Sequence, residues 1–508
     1  MQIEVIIEKK SHKLDAEEGK TILETLQEHG IHVLTAPCGG RGRCGKCTVE
    51  VEHMGEVLAC MTKVTDGMRI TIPKVQLRAQ KSKIAENGTV THYPADDGEG
   101  LDAACDIGTT TVVCHLIDGK TGEKLATVSE PSAQRSFGAD VLSRIQAAEA
   151  GKLEILKEQI IFQIAQMLRT LQKKTGRGEQ IQRLAVVGNT VMCHLFAGIS
   201  PVSIGVTPFM PQEFFGKEYT GEQLGLTDCR SVYIAPAVAG FVGGDITSDL
   251  LAVMRKNPKE KVLLLDIGTN GEMAVGNEEQ IYCCATAVGS AFEGAEMAMG
   301  MPAAVGAISH VWLDQRRIRV QVIGDEEACG ICGSGLIDAL AVILEMGLLD
   351  HTGLLKQKQS VSVAYRKYLG EYAGQPCVWL AHKVCVTQED IRGLQLAKAA
   401  FAAGMRILLQ DSHTPYEQLD HVVLAGGFGS YLKKESAAAI GLIPKELLPI
   451  TESVGNAAGE GAVSAAISQK AREQLLTIRK SMHYIELSTH PDFSQEYMDQ
   501  MDFDESKR

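Results

Sequence analysis

The sequence predicts an α/β chain of two unequal parts, a small mixed α+β unit followed by a large α/β unit built as two lobes. Three observations carry that expectation: four cysteines threaded through a glycine-rich region between positions 38 and 60, a polar stretch at 75–102, and a turn string, DIGT, that stands at 106–109 and again at 266–269. With 508 residues, 45% of them hydrophobic, the chain can bury more than one core, so two or three globular units are expected.

The first unit spans 1–74. Residues 3–8 and 48–52 read as strands, 20–28 as a short helix, and 57–72 as a turn returning to a strand. Residues 75–102 are rich in Lys, Gln, Asn, Gly, Asp and Glu and include PADDGEG at 94–100, the composition of a flexible linker. From 103 to 470 the pattern turns to buried strands that end in glycine-rich turns, separated by long helical segments. The two lobes are expected to divide near 245–262. Residues 471–508 are largely polar and read as a C-terminal tail, pinned by Phe493 and Tyr497 and frayed beyond them.

Composition excludes several classes of function. The net charge of −13, without any Lys/Arg run, argues against nucleic acid, whose binding rests on phosphate neutralisation. The opening MQIEVIIEKK alternates like a strand and lacks the apolar core of a signal peptide, and no later stretch is long and apolar enough to span a bilayer. A cytoplasmic protein with no membrane partner is expected. Its 14 cysteines are too sparse for a disulfide scaffold, and the four that cluster read as metal ligands.

Those four are Cys38, Cys44, Cys47 and Cys60, with five, two and twelve residues in the successive gaps. Four thiolates are the complement for one 2Fe-2S cluster. Gly39, Gly40, Gly42 and Gly45 thread the loop, where backbone N–H groups must turn inward toward sulfides. A structural zinc site is the alternative, but zinc sites commonly carry paired CxxC knuckles at both ends and only one such pair stands here.

The large unit carries a nucleotide signature. The strand before 106–110 ends in DIGTT, whose Gly108, Thr109 and Thr110 can present N–H and hydroxyl groups to phosphate oxygens while Asp106 faces a hydrated Mg2+. The second turn repeats this with Asp266, Gly268, Thr269, Asn270 and Gly271. One such turn alone is weak, because Asp and Gly are common in turns. Two copies about 160 residues apart, each after an apolar strand, are much stronger. A third glycine-rich turn at 422–430 brings Gly426, Gly427 and Phe428 toward an adenosine, and 452–462 has the small-residue pattern of a helix packed at a hinge. The absence of GxxxxGK[ST] disfavours the P-loop class.

These four elements resemble the phosphate-1, phosphate-2, adenosine and second connecting motifs of the acetate and sugar kinase, heat-shock ATPase and actin superfamily. FGADVLSRI at 137–145, VVGNTVMCHLFAG at 186–198, FVGGDITSDL at 241–250, GSAFEGAEM at 289–297, CGICGSGLIDAL at 329–340 and TQEDIRGLQLAKAA at 387–400 narrow the resemblance. Preceded by the cysteine loop, the set is similar to the reductive activators of corrinoid-dependent enzymes over essentially the whole chain. The resemblance implies an N-terminal ferredoxin-like β-grasp domain followed by a two-lobed actin-like ATPase domain. It implies that ATP drives one electron from the 2Fe-2S cluster to a corrinoid protein of a methyltransferase system, returning inactive Co(II) to Co(I). ATP and Mg2+ would then be cofactors beside the cluster, with Gly333 and Ser334 adding to the nucleotide site. The partners implied are the corrinoid protein and an upstream low-potential electron donor, with a homodimer as the assembly considered. Two other functions fit parts of the pattern: an ATP-driven donor of the 2-hydroxyacyl-CoA dehydratase activator type, and a redox-sensing small-molecule kinase.

Other residues have blander readings. Cys329 and Cys332 form a second CxxC that two subunits could share around a 4Fe-4S cluster, but one pair per chain is half a site and a glycine-turn role is favoured. His194 reads as a satisfied buried histidine. Asp245 and Glu293 stand in glycine-flanked strings and are candidates for orienting water or magnesium. Arg392, Gln395 and Lys398 share a helix face that is expected beside the cleft or in solvent.

Overall fold

The computed structural model describes residues 1–31, 33–73, 88–90, 92–292, 294, 297–429 and 431–503. The expected site residue Glu293 and half of the expected linker, 75–87 and 91, lie outside the described residues, as do 74 and 504–508.

Strands β1 (Gln2–Ile7), β2 (Lys10–Asp15), β3 (Thr48–Val51), β4 (Gly55–Leu58) and β5 (Arg69–Thr71) form one sheet in the order β2-β1-β5-β3-β4. β1 runs parallel to β5, and the other pairs are antiparallel. Helix α1 (Ile22–Glu28) begins at a capping box in which Thr21 and Glu24 satisfy each other's backbone N–H, and it buries Ile22, Leu23 and Leu26 against the sheet. This is the ferredoxin-like β-grasp arrangement, and Cys47 and Cys60 belong to its core.

The large unit contains the same strand plan twice. The first lobe runs β6 (Leu101–Ile107), β7 (Thr111–Asp118), β8 (Lys124–Pro131), β9 (Ile181–Val187), β10 (Lys217–Thr220) and β11 (Cys229–Ile234), in the order β10-β11-β9-β6-β7-β8. Helices α2 (Val141–Ala147) and α3 (Leu153–Thr175) cover it, and α4 (Gly244–Val253) leads out toward the second lobe. There β12 (Val262–Ile267), β13 (Gly271–Gly276), β14 (Ile281–Thr286), β21 (His421–Ala425), β22 (Thr451–Gly455) and β23 (Met482–Ile485) follow the order β22-β21-β12-β13-β14-β23. In both lobes an antiparallel three-strand meander is extended by a parallel strand beside its first member. Residues 307–387 add β15 (Ala307–Asp314), β16 (Arg317–Val322), β17 (Gly330–Ile331), β18 (Leu369–Tyr372), β19 (Gln375–Ala381) and β20 (Val384–Thr387), with α5 (Gly333–Glu345) and then α6 (Gln388–Asp411).

Helix α7 (Ala457–Ile467) packs on α4 between the lobes. A Cβ on Gly461 would stand 2.3 Å from the Ser248 carbonyl, so small residues are what let these two helices meet.

Two expectations about mobile segments need correction. The described end of the expected linker is packed: Thr89 N–H donates to Val454, Tyr93 N–H donates to Ser464, and Asp97 pairs with Arg183 and Arg472. The expected C-terminal tail contributes helix α8 (Gln469–Ser481) and strand β23, which pairs with β14, while Phe503 is 2% exposed in the second lobe's core. Gln395 and Lys398 account for this: both are buried, and they donate to carbonyls of Gln500, Met501 and Asp502, tying the C-terminal segment to α6, while the half-buried Arg392 donates to the Thr352 carbonyl.

Candidate functional site

The two DIGT turns are the hairpins β6–β7 and β12–β13, and the fold brings them face to face. Thr110 Oγ1 and Thr269 Oγ1 stand 3.5 Å apart. Behind the first turn, Asn189 Nδ2 donates to Thr109 Oγ1 at 3.1 Å and the fully buried Arg144 guanidinium donates to the Thr109 carbonyl. Behind the second, Gly268 N–H donates to the Asn270 carbonyl at 3.0 Å and Asn270 Nδ2 donates to Glu272 Oε1 at 3.3 Å.

Asp106 and Asp266 close the last turns of β6 and β12, and Asp245 lies in the first turn of α4 between them. Burial raises Asp106 to about 7, helped by Asp245, although Asn456 Nδ2 donates to it at 3.0 Å. Asp266 is raised to about 7 by burial and by Asp245 and Asp106, and burial raises Asp245 to about 6. Two carboxylates not foreseen from the sequence complete the group. Asp249, one helical turn beyond Asp245, and Glu272, just after the second turn, are both pushed well above their usual range by burial and by the neighbouring acids. Neither oxygen of Asp249 meets a polar donor, and the charged groups that act on it are the acids Asp266, Asp245, Asp106 and Glu272, so burial and like charge together disfavour its ionised form. The i,i+4 spacing of Asp245 and Asp249 within FVGGDITSDL, and an acid directly after a buried turn in DIGTNGEM, were the signals available for both.

Gly426, at φ +86°, follows β21 so closely that a Cβ there would lie 2.2 Å from Asp266 Oδ1. Gly427 and Phe428 continue the same short helical turn, Gly426–Gly429. Gly271 is a packing position, because its Cβ would lie 2.6 Å from the ring of Phe401. Gly108 is held by a similar crowding against the Thr111 carbonyl at 2.6 Å. Gly333 and Ser334 open α5, where the Ser334 hydroxyl donates to the Ser309 carbonyl at 2.9 Å.

Of the four loop cysteines, Cys38 and Cys44 Sγ are 3.4 Å apart, and Cys47, whose thiol is raised mainly by burial, feels both Cys60 and Cys44. Burial works against ionisation of Cys38, but N–H groups of Cys44, Arg43 and Arg41 outweigh it and bring that thiol to about 7. Among the described residues, no three His, Cys, Asp or Glu side chains converge to hold one metal ion. Four thiolates are the complement of one 2Fe-2S cluster.

Cys329 and Cys332 do not face one another: Cys332 is buried against the Ile308 carbonyl, and Cys329 is exposed beside Met301. His194 is satisfied at both nitrogens, by the Thr190 carbonyl and by the Glu213 N–H. Among the described residues, no helix is long and apolar enough to cross a membrane.

Comparison with known proteins follows the same division. Residues 4–74 match a 2Fe-2S iron-sulfur cluster binding domain, 101–257 the RACo middle region, and 260–508 the C-terminal domain of RACo, the ASKHA domain. The chain is 31% identical to the corrinoid activation enzyme RamQ of Eubacterium limosum, over 92% of its own length and 93% of that protein's. It belongs to the family of corrinoid reductive activators. A second member of this activator group, the Co(II) methylated amine-specific corrinoid protein reductase of Methanosarcina barkeri, is 24% identical over 79% of this chain and 76% of that one. The solved structure of a reductive activator for corrinoid, iron-sulfur protein superposes with a TM-score of 0.72 at 28% identity and covers 98% of both chains. In this activator, then, a ferredoxin-like domain and an actin-like ATPase domain share one chain.

Proposed function

We propose that this activator uses ATP to drive one electron onto a corrinoid protein of a methyltransferase or demethylase system, returning Co(II) to Co(I). The observation that carries the proposal is the path between the two sites. Ser132 N–H donates to the Thr110 carbonyl at 2.9 Å in the first phosphate turn, and Ala139 N–H, seven residues on, donates to the Pro37 carbonyl at 3.1 Å, next to Cys38. One short segment thus touches both the nucleotide turn and the cysteine loop.

On this reading Cys38, Cys44, Cys47 and Cys60 hold the cluster, which supplies one low-potential electron received from an upstream donor. Gly108, Thr109, Thr110, Gly268, Thr269 and Asn270 face the phosphates, and Gly426, Gly427 and Phe428 face the adenosine. Asp106, Asp266 and Asp245 would orient a hydrated Mg2+. The chemistry needs the coupling. For one electron about 59 mV is a factor of ten, so a shortfall of about 200 mV costs roughly 5 kcal/mol. Nucleotide binding can offset that only by favouring one arrangement of the lobes over another.

The test mixes reduced protein, ATP and a Co(II) corrinoid protein and follows Co(I) absorbance. Wild type should accumulate Co(I) only with ATP. Asp266→Ala should accept an electron yet form no Co(I), and Cys38→Ser should keep ATPase activity yet transfer nothing. Equal Co(I) formation without nucleotide refutes the proposal.

A further inference from the structure

The ferredoxin-like domain touches both lobes at once. On the first-lobe side, Gln27 Nε2 donates to the Ser136 carbonyl at 2.6 Å, Ala139 N–H donates to the Pro37 carbonyl, and Arg41 donates to the Gln146 carboxamide in α2. On the second-lobe side, the Lys46 ammonium donates to the carbonyls of Met297 at 2.9 Å and Gly300 at 3.3 Å. Met297 belongs to the second lobe's core, and Gly300 bridges to Ile331. The ferredoxin-like domain is therefore a strap whose two ends are fastened to different lobes.

The gap it spans is the one the phosphates must enter. With Thr110 Oγ1 and Thr269 Oγ1 only 3.5 Å apart, nothing fits between the two hydroxyls. A phosphoryl oxygen seated on the line between them and accepting from each at about 2.7 Å would set them about 5.4 Å apart. The Lys46 contacts tolerate much less, since an N–H···O bond is lost by about 3.6 Å. Seating a phosphate between the turns and keeping the strap fastened are thus in competition.

We infer that Lys46 is a positioning residue that latches the cysteine loop to the second lobe while the phosphate turns are together, and that nucleotide entry releases it and frees the loop to reach its electron acceptor. The inference rests on the proposed seat of ATP between the two turns. Linkage is reciprocal: if nucleotide weakens the latch, weakening the latch must tighten nucleotide by the same factor.

The experiment uses the full-length, iron-loaded protein with Lys46→Met and, at the other end of the strap, Gln27→Leu. Mg2+ and a non-hydrolysable ATP analogue are titrated by calorimetry, and amide hydrogen exchange is followed across 37–47 and 297–300. Lys46→Met should bind the analogue about tenfold more tightly. In wild type the analogue should speed exchange in both segments, whereas in Lys46→Met exchange should be fast from the start. A merely structural lysine would change iron content without tightening nucleotide. Should Lys46→Met fail to hold iron, Gln27→Leu, outside the cysteine loop, carries the same expectation of tighter binding. Unchanged or weaker affinity, or exchange slowed by the analogue, overturns the latch alone. No measurable analogue binding by wild type overturns both the latch and the proposed function.

Discussion

Asp106→Asn should make the protein more stable and less active at once, with a pH dependence that identifies the cause. In the native state burial holds the Asp106 proton up to about pH 7, against 3.8 for an ordinary aspartate. The native state therefore binds more protons than the unfolded chain across that window, so stability falls as pH rises from about 4 to about 7 and is flat on either side. A difference of about 3 units at about 1.36 kcal/mol each amounts to about 4 kcal/mol. The amide keeps the shape and can accept from Asn456 through its carbonyl, but it has no charge to bury. It also relieves Asp266, for which Asp106 is one cause of the raised value, so the group responds together. Denaturant titrations at pH 5 and pH 8, without Mg2+ or nucleotide, should show the mutant gaining on wild type by several kcal/mol at the higher pH, while ATP hydrolysis drops by orders of magnitude. A stability difference that is the same at both pH values would show that Asp106 bears no such burden.

Three further outcomes follow. Cys47→Ser should abolish the 2Fe-2S absorbance and the iron and sulfide content, and a cluster that survives it would remove Cys47 from the ligand set. Gly426→Ala should lower ATPase activity by orders of magnitude with iron content unchanged, because the new Cβ falls 2.2 Å from Asp266 Oδ1 at a φ of +86°; retained turnover would mean that Asp266 can move without consequence. Glu460→Ala should cost about 3 kcal/mol near neutral pH, since the 1%-exposed carboxylate accepts from Lys124 at 2.8 Å, from His92 at 3.0 Å and from the Gly88 N–H at 2.6 Å. Burial opposes ionisation of Glu460, but His92 and Lys124 outweigh it and lower its pKa, so that cost should shrink as pH falls below about 4.5, as urea titrations can check.

Much of this was legible because it is local. The recurrence of DIGT announced two hairpin turns, and duplicated lobes meeting at those turns are what the fold contains. The small residues at 452–462 announced a helix in close contact; its first residues belong to β22, and from Ala457 the helix is there, with Gly461 on Ser248. What could not be read is what depends on distant partners. The residues after 471 looked like a polar tail because α8 buries only Ala471, Leu475 and Ile478, yet these suffice to dock it and β23 completes a sheet edge. Lys398 looked solvated because lysine usually is, but it is 2% exposed, and its donors are taken by carbonyls about a hundred residues away. Asp249 was hidden for the opposite reason: an acid on a helix normally faces water, and only the convergence of α4 on two turns about 160 residues apart makes it a member of the cleft.

If ATP and Mg2+ enter between the lobes as proposed, the carboxylates favour their entry and the strap resists it, and that opposition is what a coupled device requires. Five acids crowded into one buried volume raise the free energy of the cleft without a cation, so Mg2+ arriving with ATP gains more there than it would among solvated carboxylates. Part of that gain is spent parting Thr110 from Thr269 and drawing Lys46 off its two carbonyls. A cleft without the crowded acids would bind nucleotide too weakly to open the strap, and a strap without Lys46 would leave nucleotide binding tight but disconnected from the cysteine loop. Combining Asp106→Asn with Lys46→Met should therefore restore much of the nucleotide affinity that Asp106→Asn loses while leaving Co(I) formation absent. A double variant that binds nucleotide no more tightly than Asp106→Asn alone would show that the strap does not oppose nucleotide entry.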